Sequence, residues 1–232
     1  MTEHELDGLL SSRELPTLPA DRLKQIETAV TADLTPVKPL APAGVYLAGF
    51  AGIFLGIWVI GCVIAGQRGW RALSELQKLG VLAPLGACVA LLVFSIVRQM
   101  TPAGKHVRST AAFSVASFAL LLVTMAVVFR PAYESPFVHS GLVCFRTGMA
   151  FAIPAAMLFA LLLRRGAGLS PALTGATAGG LAGLVGLAVL EVHCPNLNVY
   201  HIMVWHVSVT LACMIGGLIL SSVTFRRWRS NS

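Results

Sequence analysis

Six continuously apolar runs constrain this chain more than any other feature of its sequence. They cover residues 44–65, 79–97, 110–129, 145–163, 170–190 and 199–222. Each is close to the ~20 residues that a helix needs to cross a hydrocarbon core of ~30 Å. The runs do not alternate between apolar and polar residues, so transmembrane strands are excluded, and in lipid a helix pairs its backbone polar groups internally. The sequence therefore predicts an all-α polytopic membrane protein with six transmembrane helices.

The composition agrees with this class and defines three segments. Of the 232 residues, 56% are hydrophobic and 12% are charged, and the mean hydropathy is +0.78, which lies outside the range of soluble domains. A transmembrane bundle is predicted over residues 44–225, after an N-terminal segment with a proline-rich linker over 1–43 and before a basic tail over 226–232. The polar, acidic N-terminal segment lacks the layout of a cleavable signal peptide, so the first helix is expected to act as the anchor.

The distribution of lysine and arginine orients the predicted bundle. With a cytoplasmic N-terminus, twelve of these bases lie inside and four outside, as the positive-inside rule requires. Both termini are then cytoplasmic, and the loops after the third and fifth helices face outward, which in a bacterium means the oxidising periplasm. Topology signals and anionic lipid account for the basic excess of the bundle, so no direct contact with nucleic acid is expected.

The N-terminal segment carries two apolar stripes although it is too short to form its own core. Their apolar residues, spaced to share one face of a helix, are Leu6, Leu9, Leu10, Leu23, Ile26, Val30 and Leu34. A helix lying on the membrane surface is the alternative, but such helices usually have a polar face rich in lysine and arginine. Residues 1–41 carry seven acids against four bases. The stripes therefore favour a pair of helices that bind a protein partner.

Two of the five cysteines lie at predicted helix ends on the outer side, close to histidines. Cys144 stands at the start of the fourth run and Cys194 in the polar break before the sixth. The neighbouring imidazoles belong to His139, His193 and His201. Three alternatives remain: a redox dithiol, a site for zinc or another transition metal with these histidines as auxiliary ligands, and unrelated interfacial residues. The chain has no CxxC or HExxH motif that would decide between them.

Polar residues elsewhere in the runs suggest no second site. Cys62, Cys88 and Cys213 lie within apolar runs and are expected to be core residues. His206 is the only histidine well inside a run, and no partner at its depth is evident from the sequence. No intramembrane acid of the kind that transporters use is evident either. Because no set of catalytic residues is recognisable, the protein is not expected to be an enzyme.

Gly175, Gly179 and Gly183 repeat at four-residue spacing in the fifth run. Such a face lets a second helix approach closely. Packing within one chain and formation of a homodimer both fit this pattern.

Several short motifs together resemble a known family. The run LRRGAGLSP at residues 163–171, the glycine-rich helix after it, and His193-Cys194-Pro195 before a last helix with Trp205 are similar to the NrsF-like anti-sigma factors, six-helix proteins of the bacterial inner membrane. The likeness extends over the whole chain, including a short cytoplasmic N-terminal segment.

The resemblance implies a function and a partner. It implies that the protein holds a sigma factor of the extracytoplasmic-function type at the membrane until an oxidative or metal-related envelope stress releases it. It also implicates Cys144 and Cys194 in sensing that stress. The rival functions are a membrane redox or thiol carrier and a small transporter.

Overall fold

The computed structural model describes residues 19–32, 41–100, 107–132, 136–164 and 170–230, with side chains described for all of these except 107–111, 113, 114, 117 and 224–230. Four of the predicted partner-binding residues, Leu6, Leu9, Leu10 and Leu34, lie outside the described residues. The part of the chain that is described contains helices and no β-strand, which confirms the all-α prediction. The chain divides into two compact units, Met1–Pro39 and Leu40–Ser232, and each is described by itself.

The described part of the first unit is one helix, α1, over Ala20–Ala32. It begins after Pro19 and has Asp21 in its first turn, where a negative charge favours the positive end of the helix dipole. Leu23, Ile26 and Val30 are 54%, 50% and 57% exposed. The predicted amphipathic helix after Pro19 is therefore present, and within its own unit its apolar stripe is uncovered.

The second unit is a helical bundle. Its helices are α2 (Ala43–Ala65), α3 (Arg68–Ala72), α4 (Glu75–Met100), α5 (Val107–Val128), α6 (Phe137–Leu163), α7 (Pro171–His193), α8 (Val199–His201) and α9 (Val207–Ser230), with a π-helical turn over Ile202–His206 joining the last two. Among the residues that the structure describes, five helices are long and apolar enough to cross a membrane: α2, α4, α6, α7 and the continuous helix over Val199–Val223. In α5 the apolar stretch found within the described residues is Phe118–Val128, so the sixth span stays a prediction.

The central helix of the bundle is α7. It is buried continuously from Thr177 to Val192 and contacts α2, α3, α4, α6 and α9. The glycine repeat faces α9: a Cβ atom added at Gly179 would overlap the Cys213 carbonyl, and one added at Gly183 would overlap Thr210 Cα. The close approach predicted from the repeat is therefore made within one chain, and the homodimer remains an untested prediction.

A second close approach joins α6 to α7. A Cβ atom added at Gly186 would stand 2.5 Å from the Gly148 carbonyl oxygen, so the two helix backbones touch at this point. Cys144 lies one turn from Gly148 on α6, and Cys194 lies two turns from Gly186 along α7. This crossing therefore sets the separation of the two thiols.

The break between α7 and α8 is tied to the segment that follows α5. The Asn198 side-chain oxygen accepts hydrogen bonds from the Tyr200 N–H (3.1 Å) and the Ala132 N–H (3.3 Å), and its amide group donates to the Ala132 carbonyl (2.7 Å). The Val199 N–H also donates to the Arg130 carbonyl at 3.2 Å. These bonds hold the N-terminus of the last helix in a fixed position.

Candidate functional site

Four side chains meet at one end of the bundle: Cys144, Cys194, His201 and His206. One possible ligand atom from each lies within 4.8 Å of those of the other three. The two sulfur atoms are 3.5 Å apart, and Cys194 Sγ is 3.7 Å from His201 Nε2. Cys144 is partly buried and the other three are buried. We call these four residues the thiol–imidazole cluster. The structure thus brings together the two thiols and one of the three histidines singled out by the sequence.

The positions of the thiols follow from two helices. Cys144 does not stand at a helix start as predicted, because α6 begins at Phe137 and not at residue 145. The polar residues His139 and Ser140 lie inside this helix, and the Ser140 hydroxyl donates to the Pro136 carbonyl (3.0 Å) and the Phe137 carbonyl (3.2 Å) in its first turn. Cys194 is the C-cap of α7, and its N–H donates to the Leu190 carbonyl at 2.7 Å.

The π-helical turn places the two histidines. In an α-helix, residues five apart point about 140° away from each other. The turn over Ile202–His206 instead closes i to i+5 hydrogen bonds, as between the Val207 N–H and the Ile202 carbonyl, which brings residues five apart to one face. The rings of His201 and His206 accordingly lie edge to face, with centroids 5.3 Å apart. Such turns are frequent at functional sites.

Glu191 is the buried partner of His206. Its Oε1 lies 2.8 Å from His206 Nδ1, and the two side chains are only 5% and 1% exposed. The expectation that His206 lacks a partner is therefore wrong, and Glu191 lies within α7, which extends past the predicted end of its run at residue 190. One sequence signal could have revealed the pair. Glu191 stands seven residues before Asn198 and His206 eight residues after it, so a helical hairpin brings them to similar depth.

The Glu191 contact constrains the His206 ring, because Oε1 lies 2.8 Å from Nδ1. In the neutral ring whose Nδ1 donates to the carboxylate, Nε2 carries a lone pair. His206 Nε2 is buried and has no hydrogen-bond partner of normal geometry among the described residues. In that tautomer His206 presents a lone pair close to the two sulfur atoms.

The cluster also alters the acidity of a thiol. The pKa of Cys194 is raised, first because of its hydrogen bond with Cys144 and second because burial disfavours the thiolate. Neighbouring His201 and His206 act in the opposite direction. Two thiols 3.5 Å apart share a proton once one of them ionises, so the second proton is held more tightly.

Aromatic rings enclose the cluster on its α6 side. Phe137 packs edge to face on His201 at 6.4 Å between centroids and also lies 5.9 Å from Trp205. Gly141, one turn before Cys144, leaves room for the Trp205 indole, because a Cβ atom there would overlap the ring. These rings limit access of water to the sulfur and nitrogen atoms.

Other residues considered from the sequence lie outside the cluster. His139 is exposed in the first turn of α6, and His193 is partly buried in the last turn of α7; neither joins the group of possible ligands found among the described residues. Cys88 is fully buried in the core, as expected. Cys213 is partly buried, with its sulfur 3.8 Å from that of Met149, and Cys62 is also partly buried.

The fold and the cluster together define a class. The chain is an all-helical bundle with helices fit to cross a membrane, and it carries a buried group of sulfur and nitrogen donors at one end. A family model described as "Negative regulator of sigma F" matches residues 30–228, so the chain belongs to that family. No curated protein and no solved structure matches it. The family name implies negative regulation of a sigma factor, which makes a sigma factor the implied partner.

Proposed function

We propose that this protein is an anti-sigma factor of the bacterial inner membrane that sequesters a sigma factor of the extracytoplasmic-function type. It releases that sigma factor when an envelope redox or metal stress acts on Cys144 and Cys194. Family membership over residues 30–228 supports the regulatory role. The observation that carries the sensing role is the 3.5 Å separation of two sulfur atoms contributed by residues fifty positions apart.

The apolar stripe of α1 is the proposed sigma-binding surface. Leu23, Ile26 and Val30 are each about half exposed on a helix whose other faces are polar. Amphipathic helices bind partner proteins by laying such anchors into an apolar groove. By the same reasoning the N-terminal segment 1–43, with Leu6, Leu9, Leu10 and Leu34, completes the surface.

The orientation proposed from charge places this surface in the cytoplasm. Twelve lysines and arginines inside against four outside support cytoplasmic N- and C-termini. The cluster then faces the periplasm. A membrane-impermeant maleimide applied to intact spheroplasts is expected to label a cysteine introduced at exposed His139 and to leave one introduced at exposed Gln25 unlabelled. Labelling at position 25 would invert the proposed topology.

Substitutions in α1 test the sequestration. Burial of an apolar side chain is worth about 1.5–3 kcal/mol, so replacing Ile26 and Val30 together by Asp is expected to weaken sigma-factor binding by about 100-fold or more. The measurement is the affinity of the detergent-solubilised full chain for the purified sigma factor. The control replaces Gln25 and Thr28 by Asp, which adds the same charge to the opposite face of the helix.

The control variant is expected to bind like the unmodified protein. If the Ile26 and Val30 variant also binds at full strength while the protein inserts normally, this stripe is not the binding surface. If neither variant nor the unmodified chain captures any sigma factor of this type, the sequestration itself is wrong.

A further inference from the structure

Two separations between donor atoms of the thiol–imidazole cluster are close to those of a tetrahedral metal site, and all four donors lie within 4.8 Å of one another. A cation bound at about 2.3 Å from sulfur and 2.0–2.1 Å from nitrogen separates two sulfur ligands by about 3.8 Å and a sulfur from a nitrogen by about 3.6 Å. The observed separations are 3.5 Å between Cys144 and Cys194 and 3.7 Å between Cys194 Sγ and His201 Nε2. A disulfide needs the sulfur atoms at about 2.05 Å, which would require the helices or side chains to move.

His206 supplies the fourth donor in a form suited to a metal. Its Nδ1 is held by Glu191 at 2.8 Å, and its buried Nε2 has no hydrogen-bond partner of normal geometry within the described residues. Metal-binding histidines almost always donate their other ring N–H to a carboxylate or carbonyl group, which orients the ring and raises its basicity. An unsatisfied buried nitrogen is costly, so a ligand at this position removes that cost.

We propose that Cys144, Cys194, His201 and His206 form a closed four-ligand site for a thiophilic divalent cation of the Zn²⁺ or Cd²⁺ type, with Glu191 as the positioning residue for His206. On binding, each thiol loses its proton and each imidazole binds as the neutral ring, so a protonated ring also releases its proton; both sulfur atoms and both imidazoles then donate electron pairs to the cation, and no electron is transferred. The site is then neutral apart from the Glu191 carboxylate. The inference names the ligand class of the proposed sensor and rests on the proposed function only for its regulatory consequence.

A bound cation would add a direct link between α6, the end of α7 and the start of the last helix, beyond packing and the Glu191–His206 contact. Cys144 comes from α6, Cys194 from the C-terminus of α7, His201 from α8 and His206 from the π-helical turn. Cation binding therefore fixes the relative position of α6 and the last helix at this end of the bundle. Such a constraint is a physical means by which an external ion could change the bundle and, through it, the N-terminal segment.

The test is a titration of the detergent-purified, reduced full chain with Co²⁺ and Cd²⁺. We expect one cation per chain, a Co²⁺ spectrum of tetrahedral type, and displacement of Co²⁺ by Zn²⁺. X-ray absorption of the unmodified Zn²⁺-loaded chain should count two sulfur and two nitrogen ligands. This measurement does not depend on the folding of any variant. An ion with two sulfur ligands and oxygen ligands in place of nitrogen would overturn the assignment of the histidines, and absence of stoichiometric binding would overturn the site.

Substitutions distinguish the effect of losing a metal ligand from the effect of losing the positioning residue Glu191. Cys194→Ser and His206→Gln should each abolish the tetrahedral Co²⁺ spectrum, whereas Cys213→Ser, the control thiol, should leave it unchanged. Glu191→Gln keeps a hydrogen-bond acceptor and should retain the spectrum with an affinity lower by about 10–100-fold, as for other residues that hydrogen-bond to a metal-binding histidine. Unchanged affinity in Glu191→Gln would remove its positioning role.

Sigma-factor capture by the same preparations distinguishes this inference from the proposed function. Capture without cation binding overturns the metal site alone. Cation binding without capture overturns the sequestration and leaves the site standing.

Discussion

The two ends of α7 both carry buried polar groups, but the groups differ in chemistry. Near its start, Thr174 and Thr177 meet Gln99 and Ser95 of α4. Thr174 Oγ1 donates to Gln99 Oε1 at 3.0 Å, and Gln99 Nε2 donates to Ser95 Oγ at 3.1 Å and to Thr177 Oγ1 at 3.4 Å. At its other end stand the thiol–imidazole cluster and Glu191.

The neutral network satisfies itself, whereas the cluster does not. In the first, each side chain has a hydrogen-bond partner and none ionises near neutral pH. In the second, a carboxylate, imidazoles and thiols share a buried space, and His206 Nε2 has no partner of normal geometry among the described residues. A buried polar group left incomplete in this way is a place where a ligand or a covalent change can act. The comparison therefore leads us to expect a stabilising role for the Gln99 end of α7 and supports the proposed sensing role of the other end.

The largest effect is expected from substitutions of the two thiols in the thiol–imidazole cluster. Replacing Cys144, Cys194 or both by Ser should abolish the response of sigma-factor binding to oxidant or cation, since either thiol alone makes neither a bridge nor a good metal site. Coupling between distant sites is typically 1–3 kcal/mol, so the lost response is expected to be a change of about 5–150-fold in affinity. The measurement compares affinity for the sigma factor with and without the stimulus.

Cys213→Ser serves as the control for this prediction and should keep the full response. A double Cys144 and Cys194 variant that still responds with full amplitude would show that the thiols are not the sensor. Release that is complete in cells but partial with the purified protein would point to a further step such as proteolysis.

A second expected effect concerns the α6–α7 crossing that sets the thiol separation. Gly186→Ala places a methyl group against the Gly148 carbonyl, and overpacking of this kind costs about 1–3 kcal/mol. We expect a lower Tm in detergent and a lower yield of the Cys144–Cys194 disulfide under mild oxidant. Gly180→Ala is the matched control, because a Cβ atom there meets nothing within 4 Å. Equal Tm values for the two variants would show that the close crossing is not required.

Substitutions in the neutral network around Gln99 should change the stability of the protein without changing the response of sigma-factor binding to the stimulus. Gln99→Leu leaves the Thr174 hydroxyl without its acceptor and is expected to cost about 1–3 kcal/mol of unfolding free energy. Adding Thr174→Val and Thr177→Val should recover part of that loss, because removing both partners is less costly than removing one. Denaturation and sigma-factor release are measured on the same variants. An altered response to the stimulus here would break the distinction between the two ends.

The smallest expected effect is on the reactivity of Cys194. Its raised pKa means that less thiolate is present near neutral pH, so alkylation should be slower than for an exposed cysteine and should accelerate only at higher pH. The preference of the fold for the neutral thiol stabilises the protein below the unfolded-state pKa, and that contribution is lost as the pH rises through the folded-state value. Alkylation rates are measured in a chain retaining only Cys144 and Cys194.

Two comparisons sharpen this last prediction. Cys144→Ala should shift the rate profile of Cys194 toward lower pH, because the hydrogen bond with Cys144 is the largest cause of the raised pKa. A cysteine placed at exposed His139 in a chain lacking the native ones supplies the ordinary profile. Identical profiles for Cys194 and this reference would contradict the raised pKa.

Three residues of the thiol–imidazole cluster can be predicted from the sequence. The other residues of the site cannot, for physical reasons. Cys144 and Cys194 stood out because thiols at helix ends are unusual among apolar runs, and His201 because it follows the same break. The sequence does not reveal the pair of His206 and Glu191, because each residue looks isolated along the chain. Only pairing of two antiparallel helices brings them within 2.8 Å. His139 and His193 are close to the thiols in sequence, but proximity in sequence does not specify the face of a helix on which a side chain lies.

The sequence by itself determined the helical class, because about twenty consecutive apolar residues leave the backbone one way to satisfy its hydrogen bonds in lipid. It also predicted the amphipathic helix after Pro19 from its apolar spacing. The tertiary structure decided that α7 is central, since Gly179 and Gly186 permit backbone contact that no linear pattern assigns to a particular neighbour. It also decided which sulfur and nitrogen atoms come together in the thiol–imidazole cluster. The π-helical turn changes the direction of His206 relative to His201 through a local change in hydrogen bonding.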